Sequence, residues 1–521
     1  MKKVISLLVI GCFIFANIAV FSTVGLKIKS EDNKIKSIIG FDDYVTHEPI
    51  VINGNDEFTP SNGVTGGSGS EYNPYIIEGW EIVCFLKSGI VIKDTSAHFI
   101  IRNCWIKYAD EDEYAIKMDD AKNGEISNCL FTQNERNILI GPFGENFKIK
   151  DNFFNFVDDG TQYRAEQYIQ LAGISNVLID NNKFYNASNA FWLMSNHVTI
   201  SNNEFYNVNN AIEIRDFMWD YDYGHNNVIN NVFIYPSDET HASRCIFCSQ
   251  EYNSITNNII IGPYEEGILI SWKNHIISNN IIEGCKEQSI SISSSCENSR
   301  IVYNTMKNNQ KYALAMWTSI EGKYPKNNIL HHNNFLDPNT RVIVKKDNVW
   351  DDGAEGNYWI DYNGEDNNGD GVGDTPYNIS DTIQDMFPLM EQIEEFQNTP
   401  PNKPTITGPA NGRVDWSYDY TILGTDSEGH KLRYNIVWGD GSQKDTGYAP
   451  SGDIISREHV FSKTGVYNIR VRAQDEYGLI SEWSDPLSVS MPRNKEFQGL
   501  AFSLLNNYPI IYQLLQQLFN L

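Results

Sequence analysis

Acidic and aromatic side chains cluster in two stretches of the chain that could act on a sugar. Asp158 and Asp159 are adjacent, and a second cluster lies between Arg215 and His225. Two carboxylates can serve as acid and base in glycoside cleavage, and aromatic rings pack against sugar faces. The candidate catalytic residues are Asp158, Asp159, Arg215, Asp216, Asp220, Asp222 and His225, and the candidate ligand contacts are Trp219, Tyr221 and Tyr223. A sugar or calcium contact without catalysis and a solvated loop are the alternatives.

A third stretch follows the early positions of a calcium-binding loop. Its candidate ligands are Asp366, Asn368, Asp370, Asp374 and the carbonyl of Val372. Oxygen ligands at alternate positions, with Gly at the sixth, are typical of such loops. Tyr377 stands where a bidentate Glu would close the site, so Asp361 or Asp385 would have to replace it. Calcium is one prediction, and a metal-free turn rich in Asn, Asp and Gly is the other.

Cysteine and histidine pairs offer two weaker metal patterns. Cys245 and Cys248 form half of a zinc motif without its second half. His331 and His332 are adjacent and of a type that binds copper. Neighbouring residues of a strand point to opposite faces, and so do residues three apart. The spacing therefore argues against joint ligation by either pair.

These candidates are embedded in an internal repeat. An aliphatic residue is followed by Asn three positions later and by a large apolar residue five positions later, as in Ile179, Asn182 and Phe184. The repeat begins at residues 101, 126, 149, 179, 200, 228, 255, 277, 301 and 330. Each period also contains a second run of alternating apolar residues, such as 211–214. Short strands that recur in this way predict a parallel β-helix of about ten or more coils.

The Asn of the repeat has a physical reason. At a coil corner its inward side chain can hydrogen-bond the same Asn of the next coil, roughly 4.8 Å away. The predicted ladder consists of Asn152, Asn182, Asn203, Asn231, Asn258, Asn280, Asn304 and Asn333. Cys104 and Cys129 take the Asn place in the first two coils. A disulfide between them and a pair of buried thiols would both fit that spacing.

The segments on either side of the repeat predict the order of domains. Met1-Lys2-Lys3 and the apolar run that follows are typical of an export signal or an N-terminal membrane anchor. Strand patterns separated by turns near the C-terminus predict an Ig-like β-sandwich. The predicted order is a signal peptide or anchor (1–28), an N-terminal cap (29–82), the β-helix (83–350), a C-terminal cap with an Asp/Asn/Gly-rich loop (351–391), a linker (392–403), the sandwich (404–492) and an amphipathic tail (493–521).

Charge limits the partners that the chain can have. It contains 67 Asp and Glu against 40 Lys and Arg, which gives a formal net charge of −27. A field of that sign repels phosphate backbones, so we expect no nucleic-acid partner. Neutral sugars and divalent cations are compatible with it. Export predicts an extracellular or cell-surface location, with membrane contact only through the N-terminal segment if that segment is not cleaved.

Motifs of the chain also resemble known families. The Ile-x-x-Asn-x-Phe phrases resemble the NosD-like and pectate-lyase-like right-handed β-helix superfamily, and GNYWIDY (356–362) with DGVGDTPY (370–377) resembles the ends of exported NosD-type proteins. Trp438-Gly439-Asp440-Gly441 resembles part of a PKD-type Ig-like domain. The resemblance covers nearly all of the mature chain and implies a fold more than an activity, because the superfamily includes lyases, hydrolases, epimerases and proteins with no known reaction.

The sequence therefore predicts a secreted or cell-surface β-helix protein that binds carbohydrate or envelope components in an adhesive or structural role. A polysaccharide lyase or glycoside hydrolase is the alternative. The loops 155–166 and 215–226 follow different strands of the coil, so they should leave at different corners and their acidic groups should not combine. NosD-type copper binding is a minor alternative that the resemblance implies.

Overall fold

Short parallel strands stack along the first part of the chain and form three faces. The computed structural model describes residues 44–156, 165–216, 224–236, 243–337, 342–394 and 396–492. The chain divides into two compact units, one that ends at Glu394 and one that follows it. The first unit is a right-handed parallel β-helix of about 11 turns, which confirms the predicted fold class.

Each turn contributes one strand to each face. Face 1 contains Tyr75–Glu78, Phe99–Arg102, Gly124–Ser127, Glu145–Lys150, Asn227–Ile229, Ser254–Thr256, Ile276–Ser278, Arg300–Val302 and Ile329–His331. Face 2 contains Val45–His47, Trp80–Val83, Trp105–Lys107, Leu130–Thr132, Phe153–Asn155, Val232–Ile234, Ile259–Ile261, Ile281–Glu283, Thr305–Lys307, Asn334–Phe335 and Tyr358–Trp359. Face 3 contains Ile50–Asn53, Ile90–Thr95, Ile116–Ala121, Arg136–Ile140, Arg244–Cys248, Glu266–Ile270, Gln288–Ile292, Tyr312–Met316 and Val342–Ile343.

Three long strands run through corners and belong to more than one face. They are Ala165–Asp180, Lys183–Ser201 and Glu204–Ile214. The stacking also extends past both ends of the predicted range 83–350. Val45–His47 pairs in parallel with Trp80–Val83, and Asn334–Phe335 pairs with Tyr358–Trp359. Two 3-10 helices, Asn55–Glu57 and Pro60–Asn62, lie near the start, and an antiparallel pair, Tyr377–Ser380 and Ile383–Asp385, lies near the end.

The apolar residues of the repeat fill the interior as stacked columns. The large apolar residue of the phrase forms an aromatic stack in which neighbouring ring centroids are 4.5–4.9 Å apart, through Phe131, Phe154, Phe184, Phe205 and Phe233. Stacked aromatic pairs contribute about 0.5–1.5 kcal/mol each beyond their area burial. The fixed offset in the sequence thus becomes a continuous core along the axis.

The asparagines form a hydrogen-bonded ladder inside the corner between faces 1 and 2. Nδ2 of each residue donates to Oδ1 of the next at 2.9–3.0 Å, through Asn152, Asn182, Asn203, Asn231, Asn258, Asn280, Asn304 and Asn333. The ladder then reaches Asn357 at 2.9 Å and ends on the Asp385 carboxylate at 3.2 Å. The Trp359 indole also donates to Asp385, at 2.9 Å. The Asp385 carboxylate, one of the two substitute ligands that the sequence offered, therefore already accepts hydrogen bonds from Asn357 and Trp359.

The residue before each ladder position has a left-handed backbone conformation. Asn181, Asn202 and Asn230 have φ of 53°, 56° and 57°. Among residues other than Gly, Asn adopts this conformation at low cost. The Asn–Asn doublets of the sequence thus combine a backbone requirement with a side-chain ladder.

The second unit is a β-sandwich. One antiparallel sheet contains Thr405–Thr407, Ser417–Leu423 and Ile454–Val460, and the other contains Gln443–Asp445, Leu432–Val437, Gly465–Asp475 and Leu487–Met491. Ile422 of the first sheet and Ile436 and Val471 of the second are fully buried in one core. None of the helices in the described ranges has the length and apolarity that a membrane crossing needs. The predicted signal or anchor and the predicted amphipathic tail lie outside the described residues.

Candidate functional site

The outward side chains in the middle of face 3 lie in register from turn to turn. Trp192 pairs with Glu213, Glu213 with Phe247, and Phe247 with Leu269. Trp192 is 39% exposed. Because neighbouring strands are about 4.8 Å apart, the positions of Trp192 and Phe247 are two turns, or about 10 Å, apart. An aromatic platform thus runs along the outside of the β-helix.

Two arginines flank the ring of Phe247. The guanidinium carbons of Arg215 and Arg244 are 5.5 and 5.4 Å from the ring centroid, within the range of cation–π contacts. Arg215 pairs with Glu213 at 2.9 Å, and Arg244 pairs with Glu266 at 2.8 Å. We call the group of Trp192, Glu213, Arg215, Arg244, Phe247 and Glu266 the face-3 strip. It presents aromatic rings among paired hydrogen-bond donors and acceptors.

Asp216 lies at the edge of face 3, directly after Arg215. Its carboxylate accepts a side-chain hydrogen bond from Trp272. Partial burial raises the pKa of Asp216, the bond from Trp272 lowers it, and the charge of Glu251 raises it further, with a net rise. Trp272 comes just after the face-3 strand Glu266–Ile270, and Trp317 comes just after the face-3 strand Tyr312–Met316. Each of the two is 41% exposed. Of the predicted catalytic set, Arg215 and Asp216 therefore lie on or beside the face-3 strip.

His225 lies on a different corner from the face-3 strip. It has a φ of 57°, and its ring stacks between His197, at 5.2 Å, and Tyr252, at 4.8 Å. Asp158, Asp159, Trp219, Asp220, Tyr221, Asp222 and Tyr223 lie outside the described residues. The described ends show that loop 155–166 follows face 2 and loop 215–226 follows face 3. The two loops thus leave at different corners, as the sequence suggested.

The predicted calcium loop folds around its own backbone. Asp366 accepts hydrogen bonds from the amides of Gly369 and Gly371, at 2.7 and 3.0 Å, and Asp370 accepts one from Val372 at 2.9 Å. The Asp374 carboxylate accepts two from Asn367, which lower its pKa. The remaining predicted ligand, the side chain of Asn368, donates to Asp370 at 2.9 Å.

His331 and His332 come together at a corner of the β-helix. Their Nδ1 atoms are 2.6 Å apart, and His332 Nε2 is 2.7 Å from Glu355. The expectation that the two side chains point apart is wrong, because His332 has a φ of 56° and so departs from strand geometry. Burial and the neighbouring His332 lower the pKa of His331 to about 4, so its imidazole is neutral at pH 7. A carboxylate oxygen of Asp352 and one nitrogen of each histidine lie within 4.8 Å of one another.

The described cysteines are buried and free. Cys104 and Cys129 occupy successive turns, and burial and Cys104 raise the pKa of the Cys129 thiol well above its usual range. Burial raises the pKa of Cys245 and Cys248 in the same way. Thiols of this kind stay protonated and bind metals poorly.

Sequence reasoning missed most of the face-3 strip. Trp192, Phe247 and Arg244 stand in the second run of each period, whose alternation was read only for its buried face. Aligning the repeats on their Asn would have placed Trp192 and Glu213 at one position, ten residues after Asn182 and Asn203. Phe247 stands sixteen residues after Asn231, so only the strand register of the structure brings it into line.

Comparison with known proteins gives the following likenesses. Residues 156–364 match the family described as "Periplasmic copper-binding protein (NosD)". The "Probable ABC transporter binding protein NosD" of Stutzerimonas stutzeri is 29% identical over 103 residues, which are 19% of this chain and 23% of that protein. The chain thus spans less than a quarter of the length of this relative.

Two solved structures are similar to separate parts of the chain. The DFA-IIIase from Arthrobacter chlorophenolicus A6 shares 9% identity over 59% of this chain and 84% of its own, with a TM-score of 0.38. The PKD domain of an M14-like peptidase from Thermoplasmatales archaeon SCGC AB-540-F20 shares 39% identity over 19% of this chain and all of its own, with a TM-score of 0.18. Residues 156–364 are thus similar to the NosD family, and the register of the strands makes the first unit a right-handed parallel β-helix.

Proposed function

We propose that this chain is an exported β-helix protein that binds carbohydrate through the face-3 strip. The observation that carries the proposal is the alignment on face 3 of exposed Trp192 and half-buried Phe247, flanked by the ion pairs Arg215–Glu213 and Arg244–Glu266. Sugar rings have apolar faces and polar rims. A surface with aromatic rings beside fixed donors and acceptors suits both.

The charges of the strip favour a neutral glycan. Each described arginine of the strip is paired with a glutamate, so the two positive charges are already balanced. The chain as a whole carries a net charge of −27, which opposes approach by a polyanion. The 10 Å between Trp192 and Phe247 suits a disaccharide unit of an extended chain.

The ion pairs formed by the carboxylates of the face-3 strip favour binding over cleavage. Glycoside hydrolysis needs one carboxylic acid and one carboxylate on opposite sides of the scissile bond. Glu213 and Glu266 are each engaged by an arginine, at 2.9 and 2.8 Å, so neither offers a free carboxyl group to a scissile bond. A lyase or hydrolase remains the alternative, with Asp216 and its raised pKa as the acid that it would use.

Affinity retention on immobilised neutral polysaccharides tests the proposal. We expect Phe247→Ala and Trp192→Ala to weaken retention by about two- to tenfold each, since an aromatic contact contributes about 0.5–1.5 kcal/mol. Trp416→Ala is the matched control, because Trp416 is 59% exposed and lies in the sandwich. Equal retention by all variants would refute the assignment to face 3. Release of reducing or unsaturated ends would favour the enzyme.

Copper binding is a second candidate, which the histidine corner favours. His331, His332 and Asp352 lie inside the segment that matches the NosD family, whose description names copper. Two imidazoles and a carboxylate suit Cu2+. We expect one Cu2+ to bind the purified protein and the double variant His331→Gln/His332→Gln to lose it, whereas His98→Gln retains it. Binding that survives the double variant would exclude this site.

Two further expectations belong to the proposal. A location at the cell surface is the first: the word periplasmic in the family description agrees with export alone, and protease shaving of intact cells tests the surface location. Calcium binding by the loop 366–374 is the second expectation. We expect added calcium to raise the Tm of the protein and Asp370→Ala to abolish that rise. A Tm that changes neither with calcium nor with Asp370→Ala would refute calcium binding.

A further inference from the structure

Two buried carboxylates and a histidine come together in the C-terminal sandwich. Asp426 is 8% exposed and Asp475 is fully buried. His430 Nδ1 lies 3.4 Å from Asp426 Oδ1. One carboxylate oxygen of each aspartate and one ring nitrogen of His430 all lie within 4.8 Å of one another. Three groups with metal-ligand chemistry thus converge below the surface.

Backbone amides donate hydrogen bonds to only one oxygen of each carboxylate in this cluster. Asp475 Oδ1 accepts hydrogen bonds from the amides of Tyr477 and Leu479, at 2.9 and 3.0 Å. Asp426 Oδ1 accepts from the amides of Glu428 and His430, at 3.0 and 3.1 Å. These bonds fix the two carboxylates in place.

The remaining acceptors point to a missing partner. Asn398 Nδ2 donates to Asp475 Oδ2 at 3.0 Å. Asp426 Oδ2 and Asn398 Oδ1 are buried and have no hydrogen-bond partner among the described residues. A buried carboxylate oxygen without a donor is costly.

We propose that Asp426, His430 and Asp475, with the Asn398 side-chain oxygen, bind one divalent metal ion. Two carboxylates, an amide oxygen and an imidazole nitrogen make four donors of the kind that Zn2+ and Mn2+ accept, and Ca2+ would need additional oxygen ligands. The ring of His430 is held between Phe396 and Tyr477, with centroids 6.4 and 4.7 Å away. That packing orients the imidazole toward the carboxylates.

The ion would join three separate segments of the sandwich unit. Asn398 belongs to the segment that leads into the first strand, Asp426 and His430 form a turn after Ser417–Leu423, and Asp475 ends the strand Gly465–Asp475. Metal binding therefore orders the entry to the domain. A contact between His430 and Asp426 that satisfies the cluster without an ion is the competing explanation, and it predicts no metal binding.

Calorimetric titration of the full exported chain tests the site. The background carries His331→Gln, His332→Gln and Asp370→Ala, which removes the other candidate sites, and Zn2+, Mn2+ and Ca2+ are titrated separately after chelator treatment. We expect one equivalent of at least one ion to bind, and Asp426→Asn to weaken it by at least about tenfold. Glu482→Gln is the matched control, because it removes a charge from an exposed residue of the same unit that is not part of the cluster.

A second variant and a second measurement guard against misfolding. His430→Gln leaves both carboxylates and should also lose the ion, while near-ultraviolet circular dichroism reports whether the sandwich is intact. Hydrogen exchange of residues 396–403 should slow on metal addition in the background protein but not in either variant. The absence of binding by all three ions, or binding of the same strength in Asp426→Asn, would overturn the proposal.

Discussion

Replacing one asparagine in the middle of the ladder should destabilise the β-helix far more than replacing its neighbour. Asn231 is fully buried, and its Oδ1 accepts from the backbone N and from Nδ2 of Asn203, at 2.9 and 3.0 Å. Its Nδ2 donates to the Ile200 and Ile229 carbonyls and to Asn258 Oδ1, at 2.9, 3.1 and 3.0 Å. Asn231→Ala removes all five bonds.

The size of the destabilisation depends on which groups keep a hydrogen-bond partner in Asn231→Ala. Nδ2 of Asn203 still donates to the Ile179 carbonyl, and Asn258 Oδ1 still accepts from the backbone N of Asn231. The backbone N of Asn203 is left without its acceptor in the interior. One buried N–H group without an acceptor costs about 1–3 kcal/mol, and the loss of the other hydrogen bonds adds to this cost. We therefore expect Asn231→Ala to lower the free energy of unfolding by about 3 kcal/mol.

The matched control is Asn230→Gly. Asn230 is exposed, and glycine adopts its φ of 57° without strain, so the loss should stay within about 0.5 kcal/mol. Urea denaturation of both variants measures the difference. Hydrogen exchange should show the loss in the turns next to Asn231, because each turn of a solenoid contacts only its neighbours. Equal losses in the two variants would refute the account of the ladder.

Three other outcomes are expected. Phe184→Ala opens a hole in the aromatic stack and should cost about 3–5 kcal/mol of unfolding free energy, measured by the same denaturation; a loss below about 1 kcal/mol would contradict continuous packing. Burial raises the pKa of Asp385, so between about pH 4 and that raised pKa the folded chain holds a proton that the unfolded chain has released. The Tm of the protein should therefore fall as pH rises through this window, and Asp385→Asn should reduce this pH dependence of the Tm. The same pH dependence in the variant would assign the proton to a group other than Asp385. Cys104 and Cys129 should be alkylated only after unfolding, without a reductant, and mass spectrometry that finds them joined would show the disulfide instead.

The sequence predicted the β-helix because its signal is local and repeated. The offset from Ile179 to Asn182 to Phe184 recurs at nearly every turn, and each recurrence encodes the same corner and the same buried column. The sandwich was also predicted, but from fewer strands. The pattern identified 432–438, 466–473 and 487–489 and missed Thr405–Thr407, Ser417–Leu423, Gln443–Asp445 and Ile454–Val460. In Ile454–Val460 only alternate residues are partly covered, so the apolar signal there is weak.

The sites were harder to predict, because they depend on distance across turns. His331 and His332 meet only because one of them has a left-handed backbone, and no spacing rule for strands includes that. Asp426 and Asp475 lie 49 positions apart and converge through the sandwich fold. Such contacts follow from tertiary packing, which composition and periodicity do not encode.

The side-chain amides of the ladder all point the same way, from Asn152 toward Asp385. Their dipoles add along the axis, as those of peptide groups do in an α-helix, and the positive end meets a carboxylate. The ladder thus has a single direction and ends at Asp385, since a carboxylate accepts hydrogen bonds but has no amide hydrogen to donate to a further residue. Lengthening this protein by design would mean inserting whole turns upstream of Asn357, because a turn added beyond Asp385 would find no donor to continue from.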